Sequence, residues 1–500
     1  MRNAFLIGVD IGTQGTKASL YDADGTALSH ASEPSRLIVK RPGEAEQDPD
    51  EIFTSVIRTI KQAVEAAGVS PSEIAGIGID AQMAGIMGID RDWNAVTPYD
   101  SWLDTKCEPY IAAMKQAGED RIISVTGGQV TYSHGPKILW WKEKEPRIYG
   151  RIARFVVPSV YAAGRLCGLR SDQAYIDYTH LHFTGFADTG KLAWDKELLD
   201  TFAVGADKLP RICSPCEIIG GLTKEAARAC GLREGTPVAA GCGDSAASSL
   251  GAGITEPGMI YDVAGTASVF SCSTAEFRPD RKHKTILYAR SVIEGLWIPL
   301  AYISGGGLCI RWFRDLMRLS YDELQELSEA VEPGCEELSF VPHFSGRTCP
   351  NRPAVRGAFV GLGTNHSAGH MYRSILESIA YEYRLYLSIL QESGLGDSIR
   401  GIYGVGGGTG SALLNQIKAD VLEAPYIAMK NREAATFGSA VIAGYATGIY
   451  SGLQFAKEKQ EAAGHFYPDP AKSRRYRGRA SDYGEILNKM DRLYREREPD

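Results

Sequence analysis

No apolar stretch in these 500 residues approaches the ~20 needed to cross a bilayer. No basic segment with a cleavage site precedes the first strand-like run. Positive charge is also in short supply. Lys and Arg number 54 against 61 Asp and Glu, for a net charge of −7. That argues against nucleic acid or an anionic membrane as the main partner, while leaving room for a local basic pocket. Paired cysteines are scarce. Of ten, only Cys213 and Cys216 stand close together, and no second pair lies at zinc-ribbon spacing. A zinc site of that kind is excluded, and the ten read as free thiols in a reducing compartment. Together these absences describe a soluble, cytoplasmic protein.

Glycine, in contrast, is abundant at 55 residues, as in chains with many strand-to-helix turns. An acidic-glycine-threonine signature occurs twice. The first copy is Asp10-Ile-Gly-Thr-Gln-Gly-Thr-Lys17 and the second Asp262-Val-Ala-Gly-Thr-Ala267. Each follows an apolar run, so each reads as a strand entering a tight turn. Glycines let a backbone approach an anion closely, and N–H groups and Thr hydroxyls donate to it. Two such turns, one per half, suggest a duplicated domain that grips a polyphosphate from both sides.

The patterns around the turns agree. Strands are expected at 5–10, 17–22, 27–32 and 74–79, with a hairpin turn at Asp22–Gly25 and a helix at 48–67 bearing Ile52, Val56, Ile60 and Val64 four apart. The second half offers strands at 258–263, 268–272 and 298–304, then helices at 308–316, 367–392 and 412–422. The recurring order predicts an α/β protein of two ribonuclease-H-like domains flanking a central cleft. The boundaries are drawn at 1–253, 254–465 and a charged extension at 466–500, read as solvated helix and loop.

Several blocks carry a resemblance. Gly357–Glu377 satisfies the C-terminal signature of the carbohydrate kinases often called the FGGY family, within the actin-like ATPase superfamily. Pro136-Lys-Ile-Leu-Trp-Trp141 looks like the N-terminal signature, with His134 in place of a small residue or Pro. Phe344–Pro350 and Glu433–Ala440 also look like family blocks. The resemblance implies ATP and Mg²⁺ as cofactors and a small sugar or polyol as partner. By analogy with such families it also allows a homodimer.

Residue by residue, the resemblance implies the following. Thr13, Gln14, Thr16 and Lys17 meet the phosphates on one side, and Gly265, Thr266, Gly307 and Arg311 on the other. Gly407 and Ser411, in the Gly-rich turn opening the 412–422 helix, contact adenosine. Asp10 and Asp244 lie near Mg²⁺. Asp244, in Gly241-Cys-Gly-Asp244, accepts the acceptor hydroxyl's proton. Its alternative is an N-cap on the helix that follows. Arg311 is equally readable as a solvated helix residue.

The acceptor loop departs from the pattern. Glycerol kinases carry Arg-Glu where this chain has Met83 and Ala84, which makes glycerol an unfavoured substrate. Xylulose kinases carry Met-His, so Met83 matches and Ala84 does not. Gln82, Trp102, Asp104, Tyr132, Asp244 and Ser245 complete the candidate acceptor site. Trp102 reads as a sugar-stacking ring or as a core residue on a strand. Lys106 stands where Arg is usual. His180 and His182 are read as packing on one strand face, with no third ligand nearby for a metal. The function expected is transfer of the ATP γ-phosphoryl group to a xylulose-like ketose. The alternatives are an erythritol-like, deoxy or branched acceptor, or a nucleotide sensor that transfers nothing.

Overall fold

A computed structural model describes residues 4–41, 43–394, 399–430 and 433–495. The first half runs β1 (Phe5–Ile11), β2 (Gly15–Tyr21), β3 (Ala27–Pro34), α1 (Pro49–Ala67), β4 (Ile74–Ala81), α2 (Glu108–Thr126), α3 (His134–Lys144), α4 (Pro158–Cys167), β5 (Ile218–Gly221), α5 (Lys224–Cys230), β6 (Pro237–Ala239), β7 (Cys242–Gly243) and α6 (Asp244–Gly251). Its sheet has the order β5-β6-β4-β1-β2-β3, with β7 also paired to β4. The β3-β2-β1 meander is antiparallel, and β1, β4 and β6 are parallel.

The second half runs β8 (Met259–Ala264), β9 (Ser268–Cys272), β10 (Leu287–Arg290), β11 (Trp297–Ile303), α7 (Gly306–Met317), α8 (Ala368–Glu392), β12 (Gly401–Val405), α9 (Ala412–Leu422), β13 (Tyr426–Met429), α10 (Ala434–Ala446), β14 (Ala462–Phe466) and α11 (Pro470–Arg495). Its sheet order is β10-β11-β9-β8-β12-β13-β14. From β11 onward the strand senses repeat those of the first sheet from β3 onward. The expected pair of ribonuclease-H-like domains is what the chain forms. The extra edge strand β10 was not expected.

Local chemistry explains the framework. Asp48 caps α1 by accepting from the N–H groups of Asp50 and Glu51, and Gly68 ends the helix in a left-handed conformation. The four-spaced Ile52, Val56, Ile60 and Val64 are all buried against the first sheet.

The opposite face of that sheet is covered from far away in sequence. Helix α10, in the second half of the chain, lies on β1 and β4 and against α6. The approach is close because glycines stand below it. A Cβ on Gly8 would fall 1.8 Å from the Thr436 carbonyl oxygen, and one on Gly78 2.0 Å from that of Ser439. The two glycines are neighbours in the β1/β4 register, so they form one flat seat.

The C-terminal helix corrects the reading of 466–500 as solvated. One face of α11 carries Tyr476, Ala480, Tyr483 and Leu487, all buried against α8 and α9. Tyr476 and Tyr483 donate to Glu377 and Glu382 at 3.0 and 2.9 Å. The many Arg, Lys and Glu residues between them mask a stripe spaced 4, 3 and 4.

Candidate active site

Strand register builds the centre of the site. Asp10 near the end of β1 pairs in register with Asp80 on the parallel strand β4. Asp80 in turn pairs with Cys242 on the parallel strand β7, and Asp244 follows two residues later as the first residue of α6. Neighbouring strands stand ~4.8 Å apart, so three carboxylates converge at the carboxyl ends of adjacent strands. Burial, then the charge of Asp10, pushes the Asp244 carboxyl up to about 7. Burial pushes Asp10 up to about 6, against the opposing pull of Lys17. Asp80 is held well above the carboxylate range by burial and by Asp10. Ser439 of α10 donates to its Oδ2 at 2.6 Å.

The N-cap of α6 is Gly243, not Asp244. Among the described residues both hydrogen bonds to the Asp244 carboxylate come from Ser245, its N–H at 2.6 Å and its Oγ at 3.2 Å, and both land on Oδ1. Asp80 was missed by the sequence reading. The available signal was the repeated Ile-Gly-x-Asp of residues 7–10 and 77–80.

The first turn divides its side chains. Gln14 is exposed at its tip. Thr13 donates to Gln82 Oε1 at 3.1 Å and accepts from Trp102 Nε1 at 2.9 Å. Gln82 donates to Gln47 at 2.6 Å, and Gln47 reaches back to the Thr13 carbonyl at 3.2 Å. Gln47, not anticipated, thus closes a ring that ties the phosphate turn to the acceptor loop. Thr16 corrects its expected role. Its hydroxyl is fully buried, 2.6 Å from Ser55 of α1, so it faces away from any phosphate. Lys17 donates to Glu433 at 3.0 Å across the domain junction.

The acceptor loop is tightly shaped. Ala84 holds a left-handed φ of 63°, unusual for a residue with a side chain. The Met83 thioether packs against Gly243, where a Cβ would lie 2.5 Å from the sulfur. Trp102 is 38% exposed in a loop, which removes the core-strand reading. Asp104 is withdrawn: it is fully buried, and it accepts from the N–H groups of Ala45 and Lys106 at 2.9 and 3.2 Å. Lys106 lies between Asp100 at 2.6 Å and Glu46 at 3.3 Å, 4.5 Å from the centre of the Trp140 ring, and is structural. Tyr132 lines a cavity of about 340 Å³ between α2 and the 351–355 loop of the second half.

In the second half the anticipated pieces meet. A Cβ on Gly307 would fall 2.1 Å from the Gly265 carbonyl oxygen, and Leu308 N–H donates to Thr266 O at 3.1 Å, so the start of α7 rests on the turn. Gly406 and Gly408 press on Ala264, bringing the Gly-rich turn and Gly407 alongside. Ser411 caps α9, accepting from Leu414 N–H at 3.3 Å. Arg311 is exposed on α7.

His180 and His182 are not on a strand. They lie in a 3-10 turn over Tyr178–Phe183, fully buried. A third histidine does stand near: the His134 ring centre is 6.3 Å from that of His180. Among the described residues no three His, Cys, Asp or Glu side chains are placed to hold a metal ion together, and no helix is long and apolar enough to cross a membrane. All ten cysteines are free thiols.

Models of the FGGY family of carbohydrate kinases match residues 5–251 with its N-terminal domain and 261–447 with its C-terminal domain. A xylulose kinase of Bacillus subtilis is 26% identical over 95% of this chain and 94% of its own. A gluconokinase of Bacillus licheniformis is equally similar, 26% identical over the same shares of both chains. The structure of a ligand-bound xylulose kinase from Lactobacillus acidophilus superposes with a TM-score of 0.92 at 24% identity, covering 99% of this chain and 100% of that one.

Proposed function

The chain belongs to the FGGY family of carbohydrate kinases, and from that premise we propose that it phosphorylates a terminal hydroxyl of a small ketose of the xylulose type. It is a phosphotransferase with an alcohol acceptor, and sugar kinases of this family use ATP. Phosphoryl transfer asks little covalent work of the protein. It needs positioning, charge neutralisation and a base at the acceptor hydroxyl.

The observation that carries the mechanism is Asp244. It is a carboxylate raised to about 7, beside Asp10 and next in sequence to the glycine on which Met83 rests. Ser245 occupies Oδ1, which leaves Oδ2 to take the hydroxyl proton. A base tuned close to the working pH is the efficient choice. Gln14 of the first turn, Thr266 of the second and Gly307 at the start of α7 donate to the phosphates, with Thr13 and Gly265 shaping the two turns beside them. Gly407 and Ser411 flank adenosine.

Magnesium suits the donors present, since it takes one or two carboxylates plus phosphate oxygens. The buried Asp80 carboxyl meets that of Asp10, a pair of like charges that a cation would relieve. Asp10 and Asp244 would hold the ion, with Asp80 beside them, and when bound it neutralises phosphate charge. Xylulose over glycerol rests on Met83 and on the missing Arg-Glu pair.

ADP release measured with D-xylulose, gluconate, glycerol and erythritol tests the reading. D-xylulose is expected to give the highest kcat/KM. A tenfold preference for any of the others would overturn the ketose assignment. ADP release indifferent to every acceptor would overturn transfer itself.

A further inference from the structure

Behind the acceptor loop lies a group of buried polar side chains that the described residues satisfy only in part. His134, His180 and His182 are each at most 1% exposed. His134 bonds to the Gly85 backbone and His182 to the Thr179 backbone, and among the described residues their remaining ring nitrogens have no close hydrogen-bond partner. The Tyr99 hydroxyl reaches the same Gly85 backbone, and the buried Asp177 Oδ2 faces His180 Nε2. Buried polar atoms are nearly always paired with protein, water or ligand. A buried cluster with hydrogen-bonding capacity to spare is suited to receive a polar ligand.

Contacts tie this space to the reacting centre. The Tyr99 hydroxyl sits where a Cβ on Gly85 would be, 2.1 Å away, and lies in the field of Asp244. His134 donates to the same Gly85 backbone through one ring nitrogen, which leaves the other free to accept. His180 Nε2 stands 3.5 Å from Asp177 Oδ2. Oδ1 of Asp177 accepts from Thr179, whose hydroxyl accepts in turn from Gly243 N–H at 3.0 Å. Gly243 immediately precedes Asp244.

We propose that this chamber is the inner end of the acceptor pocket, and that His134 makes the sugar-hydroxyl contact that Ala84, one residue before Gly85, has no side-chain atom to make. The inference rests on the kinase reading above and specifies its acceptor. Burial holds all three rings in the neutral form, His182 down to about 3. With its N–H turned to the Gly85 backbone, the neutral His134 ring keeps one acceptor nitrogen, which matches the proton of a hydroxyl. The nearby cation is already engaged, since Lys137 donates to the carbonyls of Asp104 and Tyr132 at 2.8 and 3.0 Å. The chamber therefore fits an uncharged polyhydroxy compound and not an aldonate such as gluconate.

The test compares wild type, His134→Ala and His134→Gln with D-xylulose, its deoxy analogues and gluconate. His134→Ala is expected to raise the acceptor KM at least thirtyfold with the ATP KM within threefold. His134→Gln, which keeps a donor and an acceptor, is expected to recover part of the loss. One deoxy analogue should be used equally well by wild type and His134→Ala, because it lacks the hydroxyl in question. If wild type is active and both variants fold with an acceptor KM within threefold, or lose equally on every analogue, the chamber holds only trapped water and the inference falls while the kinase reading stands. Wild type inert toward every neutral acceptor overturns both. If His134→Ala does not fold, ¹⁵N imidazole shifts of wild type on adding D-xylulose decide: movement confined to the His134 and His180 signals supports the contact, and unmoved signals refute it.

Discussion

The two copies of the acidic turn stand at matching places in matching sheets, and their aspartates have opposite fates. Asp10 faces Asp80 across the strand pair, and both are pushed toward protonation. Asp262 faces Gly404. The room left by that glycine is filled by the Tyr426 hydroxyl, which donates to Asp262 at 2.7 Å. Tyr383 donates at 2.6 Å, and Lys418 completes the set. One carboxylate is left hungry for a cation, whereas its twin is fed by two phenols and an ammonium. A shared motif therefore reports common ancestry of shape. The partner strand decides whether its acid serves chemistry or architecture.

The sharpest way to test this division is at the chemical half. Asp244→Ala is expected to lose at least ~10³-fold in kcat, with ATP affinity within about threefold by calorimetry. Retention of a tenth of wild-type turnover would remove Asp244 from its role. The paired comparison comes next. Asp262→Asn leaves the buried Lys418 uncompensated and should cost about 3–5 kcal/mol in urea unfolding, with kcat of the folded protein little changed. Asp10→Asn should do the reverse, dropping kcat about a hundredfold without loss of stability. Equal effects at both positions would erase the distinction.

A pH series gives a smaller effect with a definite sign. Asp244 is raised to about 7 from an unfolded value of 3.8, so kcat/KM should fall about tenfold per unit below pH 7 as the base is protonated. The folded state binds this proton more tightly, so its contribution to stability declines as pH rises from about 4 to 7. Asp244→Asn should accordingly be more stable than wild type at pH 8, by about 4 kcal/mol, and show no such gain at pH 4. The smallest change expected is for Trp102→Phe. It removes the bond to Thr13 but keeps a ring, raising the acceptor KM by no more than about fivefold.

Much of this was legible before any coordinates. Apolar periodicity and turn chemistry predict four of the seven strands of the first sheet and helix α1, because those signals are local, and miss the three short strands after residue 217. The failures involve facing and distance. Thr16 alternates away from the turn that Thr13 serves, and only the pleat tells them apart. Asp104 carries the right chemistry but spends it on two backbone N–H groups. The histidines at 180 and 182 are spaced like a strand face, yet they wind into a 3-10 turn that meets His134 from elsewhere in the chain. Asp80 was written in the second Ile-Gly-x-Asp. It gains meaning only when β4 is laid beside β1 in register. The block at 433–440 was recognisable as a pattern, but its task of delivering Ser439 to Asp80 belongs to tertiary structure.

The seat formed by Gly8 and Gly78 also sets a timetable. The helix that fills it ends at residue 446 of a 500-residue chain, and it buries Leu6 and Tyr21 in one cluster with Phe437, Val441 and Ile442. During synthesis the earliest strands therefore wait, one flank bare, until residue 446 has left the ribosome. A fragment stopping at the linker between the halves would inherit that bare flank permanently.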